Sequence, residues 1–204
     1  MFNLGLDRLR PPVLLFILCS LFLASLLPSP AIAGDEKISD LGVSIQNNKD
    51  VMVSARLINA FNNTIEEDIK NGIPKDLYYY ILLKRRLGLW IDEELLSVTI
   101  KYTIRYDILK KQYIVISREG IKNNQKVTEN YQEMVDLISR INNIKLAETD
   151  LLKPKDSYYV SIKAEMKATT IPFYLEYFFF FIPFLELNTP WADSSIFYSH
   201  GKIN

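Results

Sequence analysis

Residues 97–107 read SVTIKYTIRYD, and apolar and polar side chains alternate throughout this stretch. The apolar set is Val98, Ile100, Tyr102, Ile104 and Tyr106. Successive side chains of a β-strand point to opposite faces, so this period of two predicts a strand with one buried and one wet face. Such a strand is typical of an antiparallel sheet that is covered on one side.

The flanking segments extend the same predicted sheet in both directions. Upstream lies DLYYYILLKRR at 76–86, whose inward set is Leu77, Tyr79, Ile81 and Leu83. Downstream, a tight connection around 108–111 leads to the strand KQYIVIS at 111–117. Pairing Tyr106 with Tyr113 sets Ile104 opposite Val115 on the same face, so the three strands share one consistent register.

Two further segments show the same alternation. In VMVSARLINA at 51–60 the apolar face consists of Val51, Val53, Ala55 and Leu57. In DSYYVSIKAEMKA at 156–168 the predicted inward set is Tyr158, Val160, Ile162, Ala164 and Met166. The predicted outward set of that segment is Ser161, Lys163, Glu165 and Lys167. Both segments are therefore predicted to be half-buried strands.

Two segments have helical signals instead. TIEEDIKNGIP at 64–74 predicts a short helix in which Thr64 caps the N-terminus and Glu67 completes a capping box. Gly72 supplies a left-handed residue after this helix, and Pro74 stops it from continuing. TENYQEMVDLISRINNIKL at 128–146 predicts a longer helix. Its buried stripe is Tyr131, Met134, Val135, Ile138 and Ile141.

This order of elements predicts an α+β domain made mostly of antiparallel β-structure, a sandwich-like sheet with two helices. The alternative is a single curved antiparallel sheet with the helices packed on one face.

The N-terminus predicts export. Arg8 and Arg10 precede an apolar stretch at 13–27, and Ala31-Ile32-Ala33 follows two prolines. This is the order of a secretory signal peptide, so residues 1–33 are predicted to be removed and residues 34–204 to form one exported domain. A periplasmic or secreted location follows. The alternative is an inner-membrane protein anchored by an uncleaved signal, although the apolar stretch is shorter than the roughly 20 residues of a spanning helix.

Composition argues against several classes of function. The 24 basic and 24 acidic residues cancel, so no polybasic surface indicates nucleic-acid binding. Cys19 lies in the predicted signal peptide, and His200 is the single histidine of the chain. The mature chain therefore lacks the ligands of a zinc or copper site and a well-held histidine for nucleophilic catalysis. We expect no metal, no cofactor and no catalytic residue.

The most conspicuous internal stretch is KRRLGLWIDEELL at 84–96. Trp90 beside Asp92, Glu93 and Glu94 is a candidate surface for binding a sugar or a cation, and paired carboxylates also serve hydrolases. The interpretation that we favour is a hairpin in which Arg–Glu pairs fix the register and Trp90 covers the end of the core.

A second candidate surface lies in YLEYFFFFIPFLEL at 174–187. A transmembrane helix is too long for this stretch, because Glu176 and Glu186 leave nine residues between them. As a strand it places Phe179 on the core face and Phe178 and Phe180 on the other face. The latter two are expected to be buried, with a docking patch as the alternative.

A resemblance joins several of these segments: VSARLINAF, IKNGIP, LW-DEEL, YDILKKQYIV and IPF…TPW. Together they resemble an exported bacterial family catalogued as the domain of unknown function numbered 4390. The matching residues are Asn59, Gly72, Ile73, Pro74, Trp90, Asp107, Pro172, Phe173, Pro190 and Trp191. The resemblance covers nearly the whole mature region and implies export and a single domain, but no activity.

The leading hypothesis for function is therefore a non-catalytic envelope protein that acts as a binding or adaptor module for a protein partner. The alternative is a carrier of lipid or another hydrophobic ligand, or a peripheral membrane protein, because the chain is rich in aromatic residues. The third hypothesis is a hydrolase that uses the carboxylates at 92–94.

Overall fold

The alternating segments form two antiparallel sheets. A computed structural model describes residues 35–88, 90–119, 122–168 and 185–198. The small sheet has the order β1-β2-β7 and contains β1 (Lys37–Gln46), β2 (Asp50–Ile58) and β7 (Arg140–Glu148). The large sheet follows the path β10-β8-β3-β4-β5-β6. Its long strands are β3 (Lys75–Arg85), β4 (Glu93–Asp107), β5 (Gln112–Glu119), β6 (Lys122–Thr128) and β8 (Ser157–Ala168).

Three short strands complete the large sheet beside β8. They are β9 (Leu185–Asn188), β10 (Ala192–Asp193) and β11 (Phe197–Tyr198), and each pairs antiparallel with β8.

The register predicted from the sequence is confirmed. In β4 and β5, Tyr106 lies opposite Tyr113 and Ile104 opposite Val115. β3 pairs along its whole length with both β4 and β8. A one-residue slip would have turned the inward set to solvent, so the apolar alternation fixes this pairing.

One hydrophobic core receives the inward faces of both sheets. The predicted inward sets of β2, β3 and β8 are buried completely or almost so. Ser161 of β8, predicted to face outward into water, is buried as well, because it donates a hydrogen bond of 2.5 Å to Asp193 of β10. The fold is thus α+β, mostly antiparallel, with two sheets and two helices.

Helix α1 (Asn63–Lys70) buries Ile65 and Ile69 against this core. The prediction of its cap is wrong: Asn62, not Thr64, has the extended backbone of an N-cap, and its side chain accepts a hydrogen bond of 3.0 Å from the amide of Ile65. The predicted end of the helix is confirmed, since Gly72 has a φ of +84°.

Helix α2 (Tyr131–Ile138) is much shorter than predicted, because the segment from Arg140 to Glu148 is strand β7. Met134 and Ile138 are buried on the helix, whereas Ile141 is buried on the strand. Asn142 and Asn143 follow, both weak helix formers, and Asn143 adopts a φ of +46°. The open edge of β2 supplies the backbone partners of β7, so tertiary pairing overrides the helical spacing.

Other sequence-based predictions lie outside the described residues. These include the signal peptide at 1–33, Phe178, Phe179 and Phe180. Within the described ranges, no helix is both long and apolar enough to span a bilayer.

Candidate functional site

The loop between β3 and β4, residues 86–91, is named the Trp loop here. Its sequence is RLGLWI. Trp90 is 82% exposed, Ile91 94% and Leu87 40%. The prediction that Trp90 covers the end of the core is therefore wrong. The hairpin directs this side chain into solvent, although burial of a tryptophan would be strongly favourable.

Asp92 fixes the shape of the Trp loop. Its Oδ1 accepts a hydrogen bond of 3.0 Å from the amide of Leu87, and its Oδ2 accepts one of 2.7 Å from the hydroxyl of Tyr159 in β8. These two bonds hold the pKa of Asp92 below its usual value. Burial, together with the bond to this carboxylate, raises the pKa of Tyr159 to about 12.

The other two carboxylates of the predicted cluster have different partners. Glu93 forms an ion pair with Arg85, whose guanidinium also lies 3.2 Å from Asp156. Glu94 is exposed and lies in register opposite Lys84. The predicted Arg–Glu pairing across the hairpin is thus present. The three acids do not converge on a common point, and a lowered pKa is the reverse of what a general acid requires.

A second tryptophan, which the sequence interpretation left outside the site, lies on the same end of the sheet. Trp191 precedes β10 and is 47% exposed. The Nζ of Lys84 lies 5.8 Å from the ring centroids of both Trp191 and Tyr159, so the ammonium group bridges the two rings. Tyr159 in turn holds Asp92, which connects Trp191 to the Trp loop.

A groove between α2 and the strands β5 and β6 is the other concave feature of the described residues, and no sequence signal pointed to it. Two adjoining cavities of about 400 Å³ each share Val115, Lys126 and Leu137. The groove exists because the sheet continues to β6 beside the short helix α2. A strand pattern in KNNQKVT is invisible to a search for apolar alternation.

Charged side chains line the rim of the groove in a defined arrangement. Asp136 and Arg140 pair at 3.4 Å, and Glu133 accepts a hydrogen bond of 2.5 Å from Thr128. Lys126 is exposed and has no ion pair among the described residues. The rim therefore offers one available cation next to an apolar floor.

The tyrosines on the outer face of β3 are accounted for by packing on the sheet. Tyr78 and Tyr80 stack with ring centroids 6.2 Å apart, and the Nζ atoms of Lys101 and Lys167 lie 5.3 and 5.5 Å from the ring of Tyr78. All four side chains are half-buried or nearly so, as is usual for a pleated surface.

The residues that the structure describes contain no group of three or more histidine, cysteine or acidic side chains arranged to hold a metal ion.

Comparison with known proteins gives one match. A family model described as a domain of unknown function (DUF4390) matches residues 35–195. No curated protein and no solved structure shows a significant match. The match extends from the residues before β1 to those after β10 and so includes both the Trp loop and the groove. The chain belongs to the DUF4390 family.

Proposed function

We propose that this protein is a non-catalytic adaptor of the cell envelope that binds an extended segment of a partner protein along β6. The observation that carries the proposal is the groove between α2 and β5–β6, which lies beside the open edge of the large sheet. Export rests on the sequence of residues 1–33.

The open edge supplies the binding energy that such a segment needs. β6 is the last strand of its sheet, so the outer edge of its backbone faces no other strand among the described residues. An extended peptide added there would pair with these N–H and C=O groups, as in β-strand addition generally. The backbone bonds give affinity without demanding a particular sequence.

Side chains of the groove supply selectivity. Asn124, Lys126 and Thr128 lie opposite Ser117, Val115 and Tyr113, so they share the inward face of the sheet. A partner residue facing Lys126 is expected to be acidic. Its neighbours two positions away on the same face are expected to be apolar, because Val115 and Leu137 form the floor of the groove.

Lys126 also explains why the open edge does not attract every strand. An inward-pointing charge on an edge strand disfavours pairing with a strand that offers it no counter-charge. The same lysine therefore rejects random partners and accepts an acidic one.

Photo-cross-linking in the producing cell tests the proposal. A photoreactive residue in place of Asn124, on the groove, should form a discrete adduct with one exported protein. The same substitution at Asn142 in β7, an exposed asparagine of the small sheet, is the matched control and should give none. Equal adducts at both positions, or an Asn124 adduct with lipid, would contradict the proposal.

The cross-linked segment then allows a direct measurement. A synthetic peptide of that segment should shift the amide resonances of residues 123–128 in the purified full-length protein. Lys126→Glu should weaken peptide binding about tenfold through the lost charge-assisted contact, whereas Lys110→Glu in the β4–β5 turn should leave it unchanged. Resonance shifts confined to the Trp loop would place the binding site elsewhere.

Export is tested separately. We expect the protein recovered from the envelope to begin at Gly34, which N-terminal sequencing would reveal. A chain that still begins at Met1 in the membrane fraction would be an anchored protein instead.

A further inference from the structure

The Trp loop exposes apolar side chains that the fold has not covered. Trp90 and Ile91 are among the most exposed large apolar residues described, and the six residues RLGLWI contain one cation and no acid. Exposed apolar groups at the tip of a connection are unfavourable in water, so a surface that covers them would gain free energy.

The exposure is enforced by the structure around the loop. The hydrogen bonds that Asp92 accepts from Leu87 and Tyr159 tie the base of the loop to β8. Gly88 adopts a φ of +70°, which side-chain-bearing residues rarely adopt. With its base fixed and its turn set by glycine, the loop keeps Trp90 and Ile91 in solvent.

The charges near the loop favour an anionic surface. Asp92 uses both oxygens in the hydrogen bonds above, and Glu93 is paired with Arg85. Arg86 has no ion pair among the described residues, and Lys84 contacts the faces of Tyr159 and Trp191. Glu94, opposite Lys84, is the one nearby acid of the hairpin with no hydrogen bond or ion pair among these residues.

We infer that the Trp loop docks the protein onto the surface of a phospholipid bilayer. Trp90 and Ile91 enter the boundary between headgroups and acyl chains, which tryptophan prefers because its ring is apolar and its N–H is polar. Arg86 binds a lipid phosphate, for which its planar guanidinium is suited. Trp191 lies beside the loop as a second interfacial aromatic side chain. This docking is independent of the groove and of its proposed peptide.

The tryptophan content of the chain makes the test local. Trp90 and Trp191 are its only two tryptophans, so Trp191→Phe leaves Trp90 as the sole reporter. Vesicles of phosphatidylethanolamine and phosphatidylglycerol should shift the emission of Trp90 to the blue. Lipids brominated near the headgroup end of the acyl chain should quench this emission. The predicted signal peptide contains no tryptophan, so full-length protein is suitable.

Matched variants in the Trp191→Phe background give the expected and the contrary results. Ile91→Ser should weaken the vesicle-induced shift of Trp90 about tenfold in lipid concentration, and Arg86→Glu should abolish the preference for phosphatidylglycerol over phosphatidylcholine. Leu109→Ser, at the 96% exposed tip of the β4–β5 turn, should change nothing.

Three outcomes would overturn the inference. The emission of Trp90 could stay unchanged with vesicles of either composition, or Leu109→Ser could abolish the shift as fully as Ile91→Ser. Inorganic phosphate alone could also produce the same shift, which would indicate a soluble anion rather than a lipid surface. A Trp90 shift with a purified partner protein but not with vesicles belongs to the first outcome.

Discussion

Asp92 joins a surface loop to a strand that lies 67 residues further along the chain. It bonds to the amide of Leu87 inside the loop and to the hydroxyl of Tyr159 on β8. A carboxylate so placed acts as a structural clamp, because each oxygen is occupied by a donor. The loop conformation consequently depends on the ionisation of this single side chain.

Removing the clamp should loosen the loop without unfolding the domain. Asp92→Ala removes the acceptor of the Leu87 amide, so we expect this amide to exchange with solvent deuterons about five- to tenfold faster. Asp107→Ala is the control, because Asp107 accepts from the amides of Leu109 and Lys110 in the opposite hairpin. It should accelerate those two amides and leave Leu87 unaffected.

The same bonds set a pH dependence. Because the pKa of Asp92 is lowered in the folded protein, the bonds contribute stability at every pH above the ordinary aspartate value. This contribution is lost as the pH falls through the lowered, folded-state pKa. The amide resonance of Leu87 should therefore titrate with a midpoint below the ordinary value. A midpoint at or above it would contradict the clamp.

Tyr79 provides a second test at the scale of one residue. Its hydroxyl donates a hydrogen bond of 2.7 Å to the carbonyl of Ile138 at the end of α2, and the side chain is fully buried. Tyr79→Phe removes this donor and should lower the free energy of unfolding by about 1–3 kcal/mol in urea denaturation. Tyr80→Phe, on the half-buried outer face, should cost much less. Equal losses would refute the role of the bond.

Among the elements, those with a clear period of two were predictable from the sequence, and those defined by a distant partner were not. The inward faces of β2, β3, β4 and β8 follow directly from apolar alternation. β6 carries no such pattern and is a strand because β5 offers it an edge. In β7 the spacing of Ile138 and Ile141 fits a helix, but pairing with β2 decides the conformation.

The candidate sites follow the same division. The sequence indicated the stretch from Trp90 to Glu94, and the Arg–Glu pairing across its hairpin was correct. The exposure of Trp90 depends on Tyr159, and the position of Trp191 depends on Lys84, so both require knowledge of which strands are neighbours. The groove requires the position of β6 and therefore had no local signal.

The cap of α1 is a prediction at the scale of the element. Asn62→Ala removes the side chain that accepts from the amide of Ile65 and should destabilise the domain by about 1 kcal/mol. Thr64→Ala, at the position that the sequence suggested as the cap, should have an effect within a few tenths of a kcal/mol, since alanine favours helix interiors. Thermal unfolding of both variants measures the difference, and a larger loss for Thr64→Ala would restore the original assignment.

In the whole molecule, the two sheets contribute to one core and should unfold together. Val53 of the small sheet is completely buried, and both tryptophans lie on the large sheet. Val53→Ala should lower the free energy of unfolding by about 2 kcal/mol, with tryptophan fluorescence and far-UV circular dichroism reporting the same midpoint. Arg56→Ala, on the exposed face of the same strand, is the control. Two separate transitions would show that the sheets are independent.

The length of β4 connects the two proposed binding surfaces. This strand has 15 residues and begins at the Trp loop, while Tyr102, ten positions along it, lies on the groove. At about 3.4 Å per residue, the groove is about 30 Å from the loop along the strand. With the loop in the headgroup layer and β4 upright, a partner rooted in the same bilayer needs a tether of at least about nine extended residues to reach β6. A shorter tether could engage this protein only from the opposite membrane or from solution.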